Sequence, residues 1–288
     1  MTMGLSGGRV AGTVAALVAV GLINFGAPTS AGTAEPICDG KVATDGSTTS
    51  NQGQTVTGTD GDDVIIVGPE VLEVYGLAGD DTICHVAAYD DFANARLYGG
   101  AGDDRLFGDE GHHVLAGGKG ADYLFGGYAN DTFDGGPGDD VLDGSCDGCT
   151  FEGRYNDVAD YTAPGYGDVD LDLLAGTAVA RNGTDTLIDI ADVVSGAGDD
   201  VLRGDAQGNR FWSEGGSDRL VGRAGDDHLR AGAGRDRADG GAGTDHCRAE
   251  HRVRCEHRST HRCRPAPGRL GRLCPPGAVA QSVRAEDS

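Results

Sequence analysis

Aspartate is the residue through which this sequence could do chemistry, and it recurs at a fixed interval. From Gly99 the chain reads GGAGDDRLF, GDEGHHVLA, GGKGADYLF, GGYANDTFD and GGPGDDVLD without a gap, ending at Asp143. A second run from Ser195 reads SGAGDDVLR, GDAQGNRFW, SEGGSDRLV, GRAGDDHLR, AGAGRDRAD and GGAGTDHCR, ending at Arg248. An earlier pair, GTDGDDVII from Gly58 and GLAGDDTIC from Gly76, stands two periods apart around a degenerate stretch. The sixth position of the unit makes Asp63, Asp81, Asp104, Asp122, Asp131, Asp140, Asp200, Asp218, Asp227, Asp236 and Asp245 candidate metal ligands. Were such aspartates to stack a strand spacing apart, their carboxylates would repel one another unless a cation sat between them. Calcium suits that gap, because it accepts roughly six to eight oxygens in flexible geometry, including the carbonyls that glycine turns expose. Magnesium, which demands tighter octahedral order and holds its water, ranks second.

The rest of each unit must position those carboxylates. Six residues of glycine and aspartate favour a turn, because glycine loses the most backbone entropy in regular structure and tolerates positive φ. The next three form a short strand whose central side chain points inward. The inward file is then Leu106, Leu115, Leu124, Phe133 and Leu142 in the first run, and Leu202, Phe211, Leu220, Leu229, Ala238 and Cys247 in the second. Such a core is one side chain wide.

The pattern Gly-Gly-x-Gly-x-Asp-x-apolar-x resembles the calcium-binding nonapeptide of RTX, or hemolysin-type, proteins. The resemblance implies an all-β fold, a parallel β-roll or β-helix solenoid with two units per turn. Aspartates eighteen residues apart would then stack along one edge: Asp104, Asp122 and Asp140, opposite His113 and Asp131; and Asp200, Asp218 and Asp236, opposite Asn209, Asp227 and Asp245. The best ion sites are expected between neighbours in these columns, with Asp63 and Asp81 a weaker pair. His112 and His113 occupy a decayed unit and read as a lost site.

Composition agrees with a fold not held by an ordinary core. The 288 residues include 51 glycines, only 6% aromatics, and 46 acidic against 23 basic residues, a formal net charge of −23. That charge opposes compaction without cations and repels nucleic acid. Arg9, an apolar stretch from Val10 to Phe25 and small residues up to Ala34 read as a signal peptide, and no later segment is apolar enough to span a bilayer. The expected organisation is a leader 1–34, an N-terminal segment 35–57, repeat blocks 58–143 (irregular over 85–98) and 195–256, a β-rich connector 144–194, and a basic tail 257–288. Arginine, histidine and proline replace glycine and aspartate in the tail and no apolar period survives, so it is expected to be disordered; the alternative is a basic tail that binds the acidic roll or an anionic cell surface.

Eight cysteines in an exported chain favour disulfides. Cys146 with Cys149, Cys247 with Cys255, and Cys263 with Cys274 are candidate local pairs that would leave Cys38 to reach Cys84, and the sequence leaves the connectivity open. A zinc site drawn from Cys247, His251, Cys255, His257, His261 and Cys263 ranks below them. In the connector, DVDLDLL places Val169, Leu171 and Leu173 on one face, and Leu187, Ile190 and Val193 extend the apolar file. Asp168, Asp170 and Asp172 do not make an EF-hand loop, because Leu173 and Val179 stand where glycine and the bidentate glutamate are needed.

The functional expectation is extracellular calcium binding with calcium-dependent folding of a structural or surface protein. A calcium-dependent adhesin or matrix component differs only in having a partner. A secreted hydrolase is disfavoured. No His-Glu-x-x-His occurs, the one Gly-x-Ser-x-Gly (Gly4 to Gly8) lies in the leader, and nothing gathers Asp160, Tyr161, Asp168 and Asp189.

Overall fold

The computed structural model describes residues 37–42, 48–49, 55–86, 93–146 and 155–255. The leader 1–34, Cys149, the Cys263–Cys274 pair and the tail 257–288 lie outside them. Among the described residues there is no helix, and the strands run from two to six residues. The fold is an all-β roll of mostly parallel strands joined by glycine-aspartate turns.

The pairing register carries the period. Leu115 pairs with Phe133 and Leu124 with Leu142, both in parallel, so each strand is matched by the one two nonapeptides later. In the second run Phe211 pairs with Leu229 and Leu202 with Leu220 in the same way. Consecutive nonapeptides therefore enter opposite sheets, and each coil of two units closes around the inward side chains. Register is preserved where the period is not. Val74 pairs with Leu97 and Leu142 with Leu187, the extra residues being accommodated outside the strands.

The chain divides into two compact units, Met1–Val158 with Asn182–Ile190, and Ala159–Arg181 with Ala191–Ser288. In the first, one sheet runs Thr132–Asp134, Val114–Lys119, Arg96–Ala101, Glu73–Ala78, Thr55–Thr57, with antiparallel Thr48–Thr49 at its edge. Its other sheet runs Gly183–Ile188, Val141–Asp143, Tyr123–Phe125, Arg105–Phe107, Thr82–His85, Val64–Val67. In the second unit, His246–Arg248, His228–Arg230, Arg210–Gly215 and Asp192–Ala197 form one sheet. His251–Val253, Arg237–Ala242, Arg219–Ala224, Val201–Arg203, Asp170–Asp172 and Thr177–Ala180 form the other.

The predicted inward residues from Leu106 to Leu142 and from Leu202 to Ala238 are all buried, as strand alternation places them, and Phe125 and Asp143 beside two of them are buried as well. Cys247 departs from the file. It is half-buried and bonded to Cys255, which closes the last coil with the short strand His251–Val253. Leu173 is a second correction. Val169 and Leu171 are buried as expected, but the chain reverses at Leu173, whose carbonyl accepts a hydrogen bond from Gly176 N, and leaves it half-buried. The strand face therefore ends one residue pair earlier than strict alternation suggests.

Two further features tie the first unit together. Cys38–Cys84 fastens the antiparallel hairpin of Ile37–Cys38 and Lys41–Val42 to strand Thr82–His85. Beside it Asp39 pairs with Arg105 at 2.8 Å, and the guanidinium lies over the rings of Phe107 and Tyr123. Cys146 is also disulfide-bonded.

Candidate metal centre

The turns deliver the aspartates to the inside of each bend. All eleven sixth-position aspartates are buried, each at most 4% exposed. The reason is local. The carboxylate folds under its own turn to reach an amide of the coil before it. Asp63 N donates to Asp81 Oδ1, Asp104 N to Asp122 Oδ1, and Asp122 N to Asp140 Oδ1, at 2.8 to 2.9 Å. In the second unit Asp200 N donates to Asp218 Oδ1, Asp218 N to Asp236 Oδ1, and Asp227 N to Asp245 Oδ1, at 3.0 to 3.1 Å. The structure thus joins every pair expected from the eighteen-residue spacing. It adds one that the spacing did not give, Asp81 N to Asp104 Oδ1 across the degenerate stretch.

The second carboxylate oxygen is the informative one. Oδ2 of Asp81, Asp104, Asp122, Asp131, Asp140, Asp227 and Asp245 is buried with no hydrogen-bond partner. Leaving such an acceptor unmatched costs about 1 to 3 kcal/mol, more when it is charged, so seven of them mark a place built for something else. The first glycine of the repeat makes the room. A Cβ on Gly99 would meet both Asp104 Oδ2 and, at 2.6 Å, the carbonyl oxygen of Gly117 one coil on. The same holds at Gly222, which faces Asp227 Oδ2 and the Gly240 carbonyl. A carboxylate oxygen and a carbonyl oxygen from adjacent coils therefore converge in a space that only glycine leaves open.

Burial sets the electrostatics. It pushes Asp81 and Asp122 up to about 6, Asp104, Asp140 and Asp227 up to about 7, and Asp131 up to about 8, with neighbouring aspartates adding to the rise. Asp200 and Asp218 are raised by the same burial, opposed by the hydroxyls of Ser195 and Ser213, which replace the first glycine of their units. Asp63 differs, since its Oδ2 accepts from Thr59 N and Thr59 Oγ1.

Sequence reasoning missed several members of these columns. Asp157 Oδ1 accepts from Asp131 N at 2.7 Å, and Asp185 Oδ1 from Asp140 N at 3.1 Å. Both lie in half-units, NDVA and GTDTL, that keep the second half of the nonapeptide without its leading glycines. That remnant was the available signal. A second row escaped notice as well. The fifth-position residues form an outer ladder of opposite polarity: Asp80 N donates to Asp62 Oδ1, Asp103 N to Asp80 Oδ1, Ala121 N to Asp103 Oδ1, and Ser217 N to Asp199 Oδ1. Successive turns thereby clasp each other in both directions. His113 takes an aspartate's place, its Nδ1 accepting from Ala95 N at 3.2 Å, and burial lowers it to about 4, so it stands there neutral. Asn209 does likewise, accepting from Asp205 N and donating to the Ala191 carbonyl. Neither offers an anionic oxygen.

Among the described residues no three His, Cys, Asp or Glu side chains gather closely enough to hold a metal by themselves. A donor set of one or two carboxylates completed by turn carbonyls is oxygen-only and pliable, which fits calcium and not zinc. The comparisons agree. The model of the RTX calcium-binding nonapeptide repeat matches in four copies, at residues 93–112, 114–145, 192–220 and 212–247, and no curated protein matches the chain. The chain carries RTX repeats, and RTX nonapeptide repeats bind calcium ions.

Proposed function

We propose that this RTX-repeat chain is an extracellular calcium-binding structural protein whose roll folds when calcium reaches its turns. One observation carries the reading: buried, unpartnered Oδ2 atoms repeat along the columns of Asp81 to Asp140 and of Asp227 and Asp245, with glycine carbonyls of the neighbouring coil beside Asp81, Asp104 and Asp227. Asp81, Asp104, Asp122, Asp131, Asp140, Asp200, Asp218, Asp227, Asp236 and Asp245 would hold the ions, with Asp63 at the margin. Calcium supplies the positive charge that lets these carboxylates stay ionised while buried. The protein's own groups do the rest: Oδ1 fixes each carboxylate against a backbone amide, and the first glycine keeps the space open.

Oxidising surroundings are supported by the Cys38–Cys84 and Cys247–Cys255 bridges, and RTX-repeat proteins are typically secreted. Extracellular modules bind calcium at roughly 0.1 to 1 mM, so the chain would stay loose where calcium is scarce and close where it is plentiful. Repeat domains of this type are typically structural, and the chain holds neither a zinc-protease motif nor a nucleophile elbow outside the leader, which supports a role without catalysis. The blocks 58–143 and 195–256 are the proposed calcium-binding parts.

The test is calcium titration by calorimetry with circular dichroism on the same samples. Chelation should remove most of the β signal and calcium should restore it. Asp122→Asn with Asp218→Asn should take up fewer ions than the wild type. A chelated protein with undiminished tertiary order would overturn the proposal.

A further inference from the structure

One outer face of the second unit gathers cations although the chain as a whole is acidic. On the sheet of Arg210–Gly215, His228–Arg230 and His246–Arg248, the parallel register lines up Arg210, His228 and His246 in one outward column and Trp212, Arg230 and Arg248 in the next. All but Trp212 are exposed, and Trp212, the single tryptophan of the chain, is half-buried. Successive members of a column stand one strand spacing apart, about 4.8 Å.

Three arginines elsewhere in the unit are committed to acids, while Arg219, Arg235, Arg237 and Arg252 have no such partner among the described residues. Arg203 pairs with Asp170, Arg223 with Asp172 and Arg254 with Asp239. Here only Arg210 has such a partner, Asp192 at 3.8 Å; among the described residues Arg230 and Arg248 have no acidic side chain within ion-pair distance. The corresponding sheet of the first unit shows no such accumulation, its outward columns carrying Glu73, Arg96, Val114 and Thr132, and Tyr75, Tyr98, Ala116 and Asp134. Cations accumulate in the second unit, whose other sheet also aligns Arg219, Arg237 and His251, and they do not follow from the repeat, whose seventh and ninth positions are free to vary; two adjacent cation columns with Trp212 among them are particular to this face.

We infer that this face binds a linear anionic polysaccharide, with Arg210, Arg230 and Arg248 meeting its carboxylate or sulfate groups and Trp212 lying against a sugar ring. Charge complementarity chooses the partner's sign. The regular spacing of two cation columns suits an extended polymer with an anion on successive sugars. Single-stranded nucleic acid is less well served, since its binders stack successive bases on several aromatic rings and this face has one. The inference rests on the calcium-folded roll proposed above, because the columns exist only while the strands are in register.

The experiment uses the full chain in calcium, with chondroitin sulfate as probe, neutral dextran and a single-stranded oligodeoxynucleotide as comparators, and Trp212 fluorescence as readout. Chondroitin sulfate should shift the emission and dextran should not. Arg230→Gln with Arg248→Gln should weaken binding at least tenfold while leaving the calcium-dependent β signal intact. A wild type that folds in calcium but ignores chondroitin sulfate overturns this inference alone, and loss of the calcium-dependent fold overturns the earlier reading instead. Tighter binding to the oligonucleotide, an unaffected double variant, or light scattering showing that the face is covered by a second copy would each refute it.

Discussion

A carboxylate that gives one oxygen to a backbone amide and buries the other unmatched is stable only as a neutral acid or beside a cation. The sign of its pH dependence follows. Asp81, Asp104, Asp122, Asp131, Asp140 and Asp227 have pKa values raised to about 6 to 8, against 3.8 ordinarily, so without calcium their contribution to stability is full below about pH 4 and is lost as pH rises through 6 to 8. Chelated protein should therefore keep more β signal at pH 5 than at pH 8.5, which circular dichroism in chelator will read. Calcium binding near pH 7 should release protons, detectable as a dependence of the calorimetric heat on buffer ionisation enthalpy. Asp122→Asn separates the two roles of one side chain. Its amide oxygen can still accept Asp104 N–H, as Asn209 accepts Asp205 N–H. The metal-free variant should then be more stable at pH 8 by on the order of 1 kcal/mol or more, while calcium uptake falls. Asp122→Ala should destabilise it with or without calcium, by about 1 to 3 kcal/mol, because a buried amide loses its acceptor.

At the level of the turn and strand, spacing mattered more than composition. The inward file was legible from the apolar residue every nine positions, and the same count placed the sixth-position aspartates along columns. What the period could not show was where a coil survives without its glycines. Asp157 and Asp185 complete columns because the strand after them, not the turn before them, sets the register. The outer ladder was hidden for another reason: its acceptor is the variable fifth position, filled by Asp62, Asp80, Asp103 and Asp199 but also by Ala121 and Ser217, which only donate their amides. Leu173 shows the limit of alternation, which says which face a residue takes but not where a strand stops. Glycine positions are not equivalent either. Gly120 has φ +134° and faces the Gly102 carbonyl so closely that a Cβ would displace the neighbouring coil, whereas nothing lies within 4 Å of a Cβ on Gly165. Gly120→Ala should cost about 2 kcal/mol or more, and Gly165→Ala should leave the melting temperature within a degree or two.

For the molecule as a whole, a net charge of −23 and a one-residue-wide core leave little to hold a metal-free chain compact. Covalent links then matter most when calcium is low. The Cys38–Cys84 bridge spans 46 residues. Removing it with the double substitution Cys38→Ser and Cys84→Ser should cost about 2 to 4 kcal/mol and raise the calcium concentration needed for half-folding. Both quantities come from denaturant titrations at fixed calcium.

A strand that pairs in parallel with a copy of itself eighteen residues later carries no internal instruction to stop. Any uncovered rim of such an array is a template for a further chain, and growth halts only where the sequence breaks the rule. The reversed strand Thr48–Thr49 does so at the start of the first unit, and the arginine- and histidine-rich rim bolted by Cys247–Cys255 does so at the end of the second. Removing the Cys247–Cys255 bridge should therefore favour strand-to-strand addition between chains, which light scattering would read.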